Sequence, residues 1–340
     1  MITNRDIGVL GALDRYFVLN RPQIQKLCFP EDLTGRVTRR RLNALVRERF
    51  ISRHPVEAYV SRNGSTGPAY FPSQRGSELL AGFFGDDKYL VATTQQPQSH
   101  HLLHWLAVSE THLALDAAIA LQSEVAVLGW INEWDVVNRE ESVPENRFRL
   151  YSLLRDKPRL VCAPDAAFLL EARGVRKVFY LEQDRGTSGV FQIAASKSPG
   201  YAEMANRKQH FKHFPASTLD GFTVILVAPN TGRRDLLRRA IKGKPKSEIW
   251  RFVSATDLSP ETFLTTPVFY SIDAGPVPLV SLSPLLTRNS ETEVTDPGFP
   301  SVIKPASDLT TLLQLPGEST HRLTSQDIPL STAKANENQR

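Results

Sequence analysis

The feature that most constrains this chain lies at residues 164–201. Pro164-Asp165 opens an apolar run, Ala166-Ala167-Phe168-Leu169-Leu170. A second run, Val178-Phe179-Tyr180-Leu181, ends abruptly in Glu182-Gln183-Asp184-Arg185-Gly186-Thr187. Short apolar runs bounded by turn formers and charge read as buried strands. Acids then stand at the ends of two neighbouring strands, where Asp165, Glu182 and Asp184 can meet in one cluster at the edge of the sheet. Hard cations such as Mg²⁺ take oxygen ligands and often only one or two protein carboxylates, so Asp165 and Glu182 are the expected metal ligands. A cation held there can polarise a phosphate and activate a water. The plainer alternative is a sheet with ordinary charged strand ends.

The stretch resembles the PD-(D/E)xK nuclease core. Pro164-Asp165 matches the first half of that pattern, and Glu182-Gln183-Asp184 supplies its acid but places Asp184 where the pattern has lysine. In some branches the lysine sits in the following helix ahead of a tyrosine, and Lys197 with Tyr201 fits that variant. The resemblance implies Asp165, Glu182, Asp184 and Lys197 as candidate catalytic residues. Three features argue against efficient cutting. Asp184 brings negative charge where positive charge is wanted, and Pro199-Gly200 unsettles the helix that would carry Lys197. Arg185 should point to the other face of its strand. The expectation is weak or absent cleavage, with Mg²⁺ as cofactor only if the site functions.

The 340 residues suit two or three domains. A formal net charge of +5 is mild, but arginine concentrates at 36–53 and lysine with arginine at 233–246, which points to a polyanionic partner. Cys28 and Cys162 have neither metal-ligand spacing nor a disulfide framework. No apolar run approaches membrane-spanning length and the N-terminus does not read as a signal peptide, so a cytoplasmic protein without a membrane partner is expected.

Residues 1–84 read as a winged helix-turn-helix. Thr3 or Asn4 caps a first helix with Ile7, Leu10, Leu13 and Phe17 on one side. Pro22 suits the first turn of a second helix. A third helix, capped near Thr34, places Leu42, Leu45 and Val46 on one face. Arg36, Arg40, Asn43 and Arg47 fall on the other, with Arg39 beside them. Those side chains suit phosphates and guanine edges, and Asn43 suits adenine. Strand-like pieces at 50–53 and 69–71 flank a turn-rich tip that would carry Arg62 to the DNA backbone.

Residues 85–98 read as a linker and residues 99–282 as the nuclease-like α/β domain. A long helix from Ser99 carries His100, His101, His104 and His112, expected to be packed or hydrogen-bonded rather than zinc ligands, and Glu110, expected to be exposed. Residues 125–131 form a strand and 138–148 a charged loop, with Trp130 and Trp134 in the core. Residues 201–214 read as a helix, 222–227 as a central strand, 233–241 as a basic helix and 248–253 as another strand. Helix, strands, helix, strand is the order that an α/β core needs. Residues 283–340 are expected to be a disordered tail.

Taken in order, residues 3–258 resemble the replication-relaxation family of plasmid and mobile-element proteins. The resemblance rests on Arg5-Asp6, Arg39-Arg40-Arg41-Leu42, Tyr70, Arg75-Gly76, His104, Ala163-Pro164-Asp165 and Glu182 to Thr187. It implies an accessory protein in replication, relaxation or transfer that binds double-stranded DNA, works with plasmid replication or transfer proteins, and is compatible with a homodimer. Two alternatives stand beside it: an active metal-dependent DNA endonuclease targeted by its winged helix, and a winged-helix transcriptional regulator.

Overall fold

Thr3 starts helix α1, Asn4–Tyr16, through a reciprocal cap. Its hydroxyl accepts the Asp6 amide, and the Asp6 carboxylate accepts the Thr3 amide at 2.8 Å. After a short strand β1, Leu19–Asn20, Asn20 caps α2, Arg21–Cys28, with Pro22 in the first turn. Helix α3, Arg36–Arg47, departs from the expected cap. Gly35 is its N-cap residue in a left-handed conformation, and no side chain caps it there. The Asp32 carboxylate reaches in instead, accepting the Thr38 amide at 2.7 Å and its hydroxyl at 2.8 Å.

Strands β2, Ile51–His54, and β3, Ala69–Pro72, join β1 in an antiparallel sheet ordered β1-β3-β2. Helix α4, Gln74–Phe84, begins at Ser73 and ends on Gly85. Leu10, Leu13, Ile24, Leu42, Leu45, Ile51, Tyr70 and Leu80 make one core among these elements. This computed structural model describes residues 2–56, 67–90, 99–138 and 140–282. Arg62, residues 91–98 of the expected linker and the tail at 283–340 lie outside the described residues.

The long helix α5, Ser99–Ala120, leads to strand β4, Val125–Asn132. The charged stretch beyond it contains one helical turn, α6, Pro144–Arg147. Strands β5, Ser152–Arg155, and β6, Leu160–Cys162, pair as a separate ribbon that the sequence did not suggest. The main elements that follow are β7, Ala166–Ala172, β8, Val175–Gln183, and helix α7, Val190–Asn206. Then come the turn α8, His210–His213, strand β9, Phe222–Ala228, helix α9, Thr231–Ile241, and strand β10, Trp250–Ser254. Two short strands close the order, β11, Phe269–Tyr270, and β12, Pro276–Val277.

These strands form a mixed seven-stranded sheet ordered β12-β11-β10-β9-β8-β7-β4. Strands β8, β9 and β10 are parallel, while β7 runs antiparallel to β8. The fold is therefore mixed α and β with a largely buried sheet. Side chains alternate between its faces. Phe168, Phe179, Leu181, Ile225 and Val253 pack with Leu102, Trp105 and Val108 of α5. Leu169, Val178, Tyr180, Leu226 and Trp250 pack with Tyr201 and Met204 of α7 and Leu237 of α9. A one-residue slip of β8 would exchange Leu181 with Glu182, driving a carboxyl into the apolar layer under α5 and away from Lys197 and Tyr201.

The helix expected at 201–214 is corrected. Helix α7 starts earlier, at Val190, and ends at Asn206 with Pro199 inside it. Lys208 then takes a positive φ of 51°, which turns the chain before His210–His213 forms its own turn. Pro199 lacks an amide for the helix ladder. Yet Gly200 beside it lets α7 press on β6, where an added Cβ would sit 2.6 Å from the Val161 carbonyl.

The N-terminal helices are tied to α5. Arg15 donates to Asp116 through two bonds of 2.7 Å, and the Tyr16 hydroxyl donates to the same carboxylate at 2.6 Å. Phe17, Val18, Ala69 and Phe71 share a core with Leu102 and Trp105. Among the described residues no helix is long and apolar enough to cross a membrane.

Candidate functional site

The ends of two inner strands build the site. The Asp165 amide donates to the Leu181 carbonyl, and its carboxylate accepts the Gln183 amide at 2.6 Å, so backbone pairing fixes Asp165 beside the end of β8. Glu182 follows the alternation of β8 and points to the α7 side. There Lys197 Nζ stands 2.6 Å from Glu182 Oε2 and 3.8 Å from Asp165 Oδ1, and also donates to the Ala163 carbonyl at 3.1 Å. One turn along α7, the Tyr201 hydroxyl donates to Glu182 Oε1 at 2.6 Å. The cleft above these groups encloses about 260 Å³, with Thr187, Ser188 and Ile193 on its rim.

Two residues that the sequence reading did not place here complete the cluster. His104 Nε2 of α5 lies 3.4 Å from Asp165 Oδ2 and 3.9 Å from Glu133 Oε1. Glu133 follows directly on β4, its amide donates to the Asp165 carbonyl, and its carboxylate accepts the Trp105 indole N–H. His104, Glu133 and Asp165 each offer one ligand atom, and all three lie within 4.8 Å of one another. The signal for Glu133 was a strand ending in an acid, the pattern that marked Glu182.

Three carboxyl groups share this buried space with one lysine. Burial and the neighbouring Asp165 charge raise Glu182 to about 7, although Lys197 and Tyr201 oppose the rise. Burial and Asp165 also raise Glu133 against the pull of His104. Burial opposes ionisation of Asp165 too, but Lys197, His104 and the Gln183 amide outweigh it and hold this carboxyl below the usual range. Lys197 keeps its proton: burial works against the charge, and Glu182 with Asp165 more than offsets that, raising it. His104 is raised for the same reason, by Asp165 and then Glu133.

Asp184 is corrected. It lines the same cleft, but its carboxylate belongs to Arg233 of α9, whose Nε and Nη2 donate to it at 2.7 and 3.2 Å. Its negative charge is neutralised there and does not join Asp165 and Glu182. Asp165 and Glu182 stand at the ends of the inner strands β7 and β8, while Glu133 follows the edge strand β4. Arg185 also lines the cleft, because β8 ends at Gln183 and strand alternation no longer directs it. Lys197 lies on a regular helix despite Pro199. The three features expected to impair catalysis thus stand differently in the fold: Asp184 is paired with Arg233, Lys197 sits on a helix, and Arg185 lines the cleft. Glu110 is exposed as expected and accepts from Gln23 at 2.7 Å. His112 is buried and stacked on Trp130, with ring centroids 3.8 Å apart.

A second site lies on α3. Leu42 and Leu45 are buried, and Arg36, Arg39, Arg40, Asn43 and Arg47 are exposed along one groove with Thr34 and Val37. Arg41 turns inward to the buried Asp6 carboxylate. The basic stretch at 233–246 is largely neutralised within the fold. Arg233 pairs with Asp184 and Arg234 with Asp235, Arg238 donates to the carbonyls of Ile272 and Ala274, and Lys242 pairs with Asp273.

An exposed arginine face on one helix and a buried acid–lysine cluster at the ends of sheet strands together define a mixed α and β protein with two polar sites. The chain belongs to the replication-relaxation family, whose model matches residues 10–216. That span takes in α3, His104, Glu133, Asp165, Glu182 and Lys197. No curated protein and no solved structure matches the chain.

Proposed function

We propose that this protein binds double-stranded DNA through a winged helix at residues 1–84 and hydrolyses a phosphodiester at a PD-(D/E)xK-type site in residues 99–282, in the replication or relaxation of a plasmid or mobile element. The observation that carries the catalytic reading is Lys197 Nζ between Glu182 and Asp165, at 2.6 and 3.8 Å. It supplies from α7 the cation that the strand lacks. The three helices, the antiparallel sheet and the arginine face of α3 support the DNA reading. Bidentate arginine contacts suit guanine edges as well as phosphate.

A divalent cation, when bound, would neutralise phosphate charge and activate a water. Asp165 and the carboxyl groups beside it would hold it, and Lys197 would present fixed positive charge to the charge that develops on the phosphate. Tyr201 orients Glu182. Lys197, His104 and the Gln183 amide hold Asp165 in its ionised form, ready to act as a ligand.

A second reading keeps DNA binding without cutting. Both oxygens of Glu182 are already engaged, by Tyr201 and by Lys197. Incubating supercoiled plasmid with the full chain and Mg²⁺ or Mn²⁺ separates the two. Nicking that disappears in Asp165→Ala and Lys197→Ala supports the catalytic reading. Intact plasmid under every cation, with binding retained, leaves the second.

A further inference from the structure

Glu182 is the acid that the motif pairs with Asp165 as a metal ligand, yet here it faces Lys197 and Tyr201. The other side of Asp165 differs in kind. His104 and Glu133 approach it from α5 and from the end of β4, and neither nitrogen nor carboxylate is enclosed by a lysine. Both are only half-buried, so the site opens to solvent on their side while Asp165 lies buried beneath.

We propose that His104, Glu133 and Asp165 form the cation site of this protein, and that its imidazole makes it select Mn²⁺, Co²⁺ or Zn²⁺ over Mg²⁺. This deepens the proposed phosphodiesterase reading and rests on it only for the use made of the cation. The spacing fits one ion. Donors about 2.1 Å from a common tetrahedral centre lie about 3.4 Å apart, and His104 Nε2 stands 3.4 Å from Asp165 Oδ2 and 3.9 Å from Glu133 Oε1. The donor chemistry sets the preference. Mg²⁺ wants an all-oxygen octahedron and keeps its waters, whereas imidazole suits the later first-row ions. The surroundings are built to hold the ligands. The Trp105 indole fixes Glu133, the Gln183 amide fixes Asp165, and the Glu133 amide bonds the Asp165 carbonyl. Trp105 acts as a positioning residue of the kind whose loss weakens metal sites.

The test uses the full chain stripped with EDTA and titrated with the metals alone. Mn²⁺ binding is read from loss of the free-ion EPR signal, Co²⁺ binding from its visible bands, and Mg²⁺ by competition. The expected result is Mn²⁺ affinity at least about tenfold above Mg²⁺, falling about tenfold or more in His104→Gln and in Glu133→Gln. Far-UV circular dichroism confirms that each variant is folded, and the second substitution stands in if the first is not. Unchanged Mn²⁺ affinity in a folded His104→Gln or Glu133→Gln protein overturns the proposal. If Mg²⁺-dependent nicking survives alongside that result, the nuclease reading stands without this site. A His104-dependent Mn²⁺ site in a protein that never nicks supports the proposal and removes the nuclease reading instead.

Discussion

Replacing Glu182 by glutamine should remove a pH dependence of stability whose size follows from the site. In the fold Glu182 is raised from 4.5 to about 7, chiefly by burial. Between those values the folded protein keeps a proton on this carboxyl that the unfolded chain has released. The folded state binds more protons there, so stability falls as pH rises through the window. At about 1.4 kcal/mol per pH unit, the full fall across that window is roughly 3 kcal/mol. Other groups titrate nearby, and some act with the opposite sign. His112, lowered to about 3 mainly by burial, gains stability with rising pH below its usual value. Because His112 is present in both proteins, the difference between wild type and Glu182→Gln isolates the glutamate. Asp165 titrates below the usual carboxylate range and stays outside the window. The assay is guanidinium unfolding in EDTA at steps from about pH 4.5 to 8, with both proteins compared at each step. Wild type should lose roughly 3 kcal/mol relative to the variant, most of it by pH 7. A difference that stays flat, or that grows in favour of wild type, would refute the account of this site as a carboxyl-rich space short of cations.

Three further outcomes can be checked independently. The Arg40→Ala, Arg47→Ala double variant should bind duplex DNA more weakly at all salts, with the slope of log affinity against log salt reduced by about one per lost phosphate contact; fluorescence anisotropy across a salt series measures this, and superimposable curves would count against the α3 face. Gly76→Ala should cost roughly 2–3 kcal/mol, because an added Cβ would sit 2.1 Å from the Phe50 carbonyl, while Gly11→Ala in α1, where an added Cβ meets nothing within 4 Å beyond its own helix, should gain about 0.5–1 kcal/mol; denaturant midpoints for the pair decide it. Asp116→Ala should cost roughly 2 kcal/mol, below the full cost of a buried broken pair because the partners keep some exposure, and thermal melts should show it.

The parts of this architecture that local pattern can encode were legible. Short apolar runs ending abruptly in charge located β7 and β8, and helical spacing set the arginines of α3 apart from Leu42 and Leu45. Lys197 and Tyr201 came forward only through the resemblance to a lysine-before-tyrosine helix, and Pro199 argued against a helix where α7 in fact runs. What was not legible depends on pairing between distant segments. Glu133 joins the site only because β4 lies antiparallel to β7, with Asn132 opposite Ala166. Nothing within residues 125–135 announces that. His104 read as one packed histidine among several because the residues facing it, Asp165 and Glu133, lie far along the chain. Asp184 looked like a member of the acid cluster until its partner appeared 49 residues away, on the opening turn of α9. The short strands β11 and β12 escaped because two-residue pieces carry no period to detect.

Helix α5 holds His104 at one end and Asp116, the anchor of Arg15 and Tyr16, at the other. Twelve residues of helix separate them, about 18 Å at 1.5 Å per residue. The chain is thus a caliper whose jaw setting is a covalent helix length and not a tether. Whatever the arginine face of α3 engages, the pocket above Asp165 is carried at a set offset from it. Each residue added between the two anchors would turn one jaw against the other by about 100°.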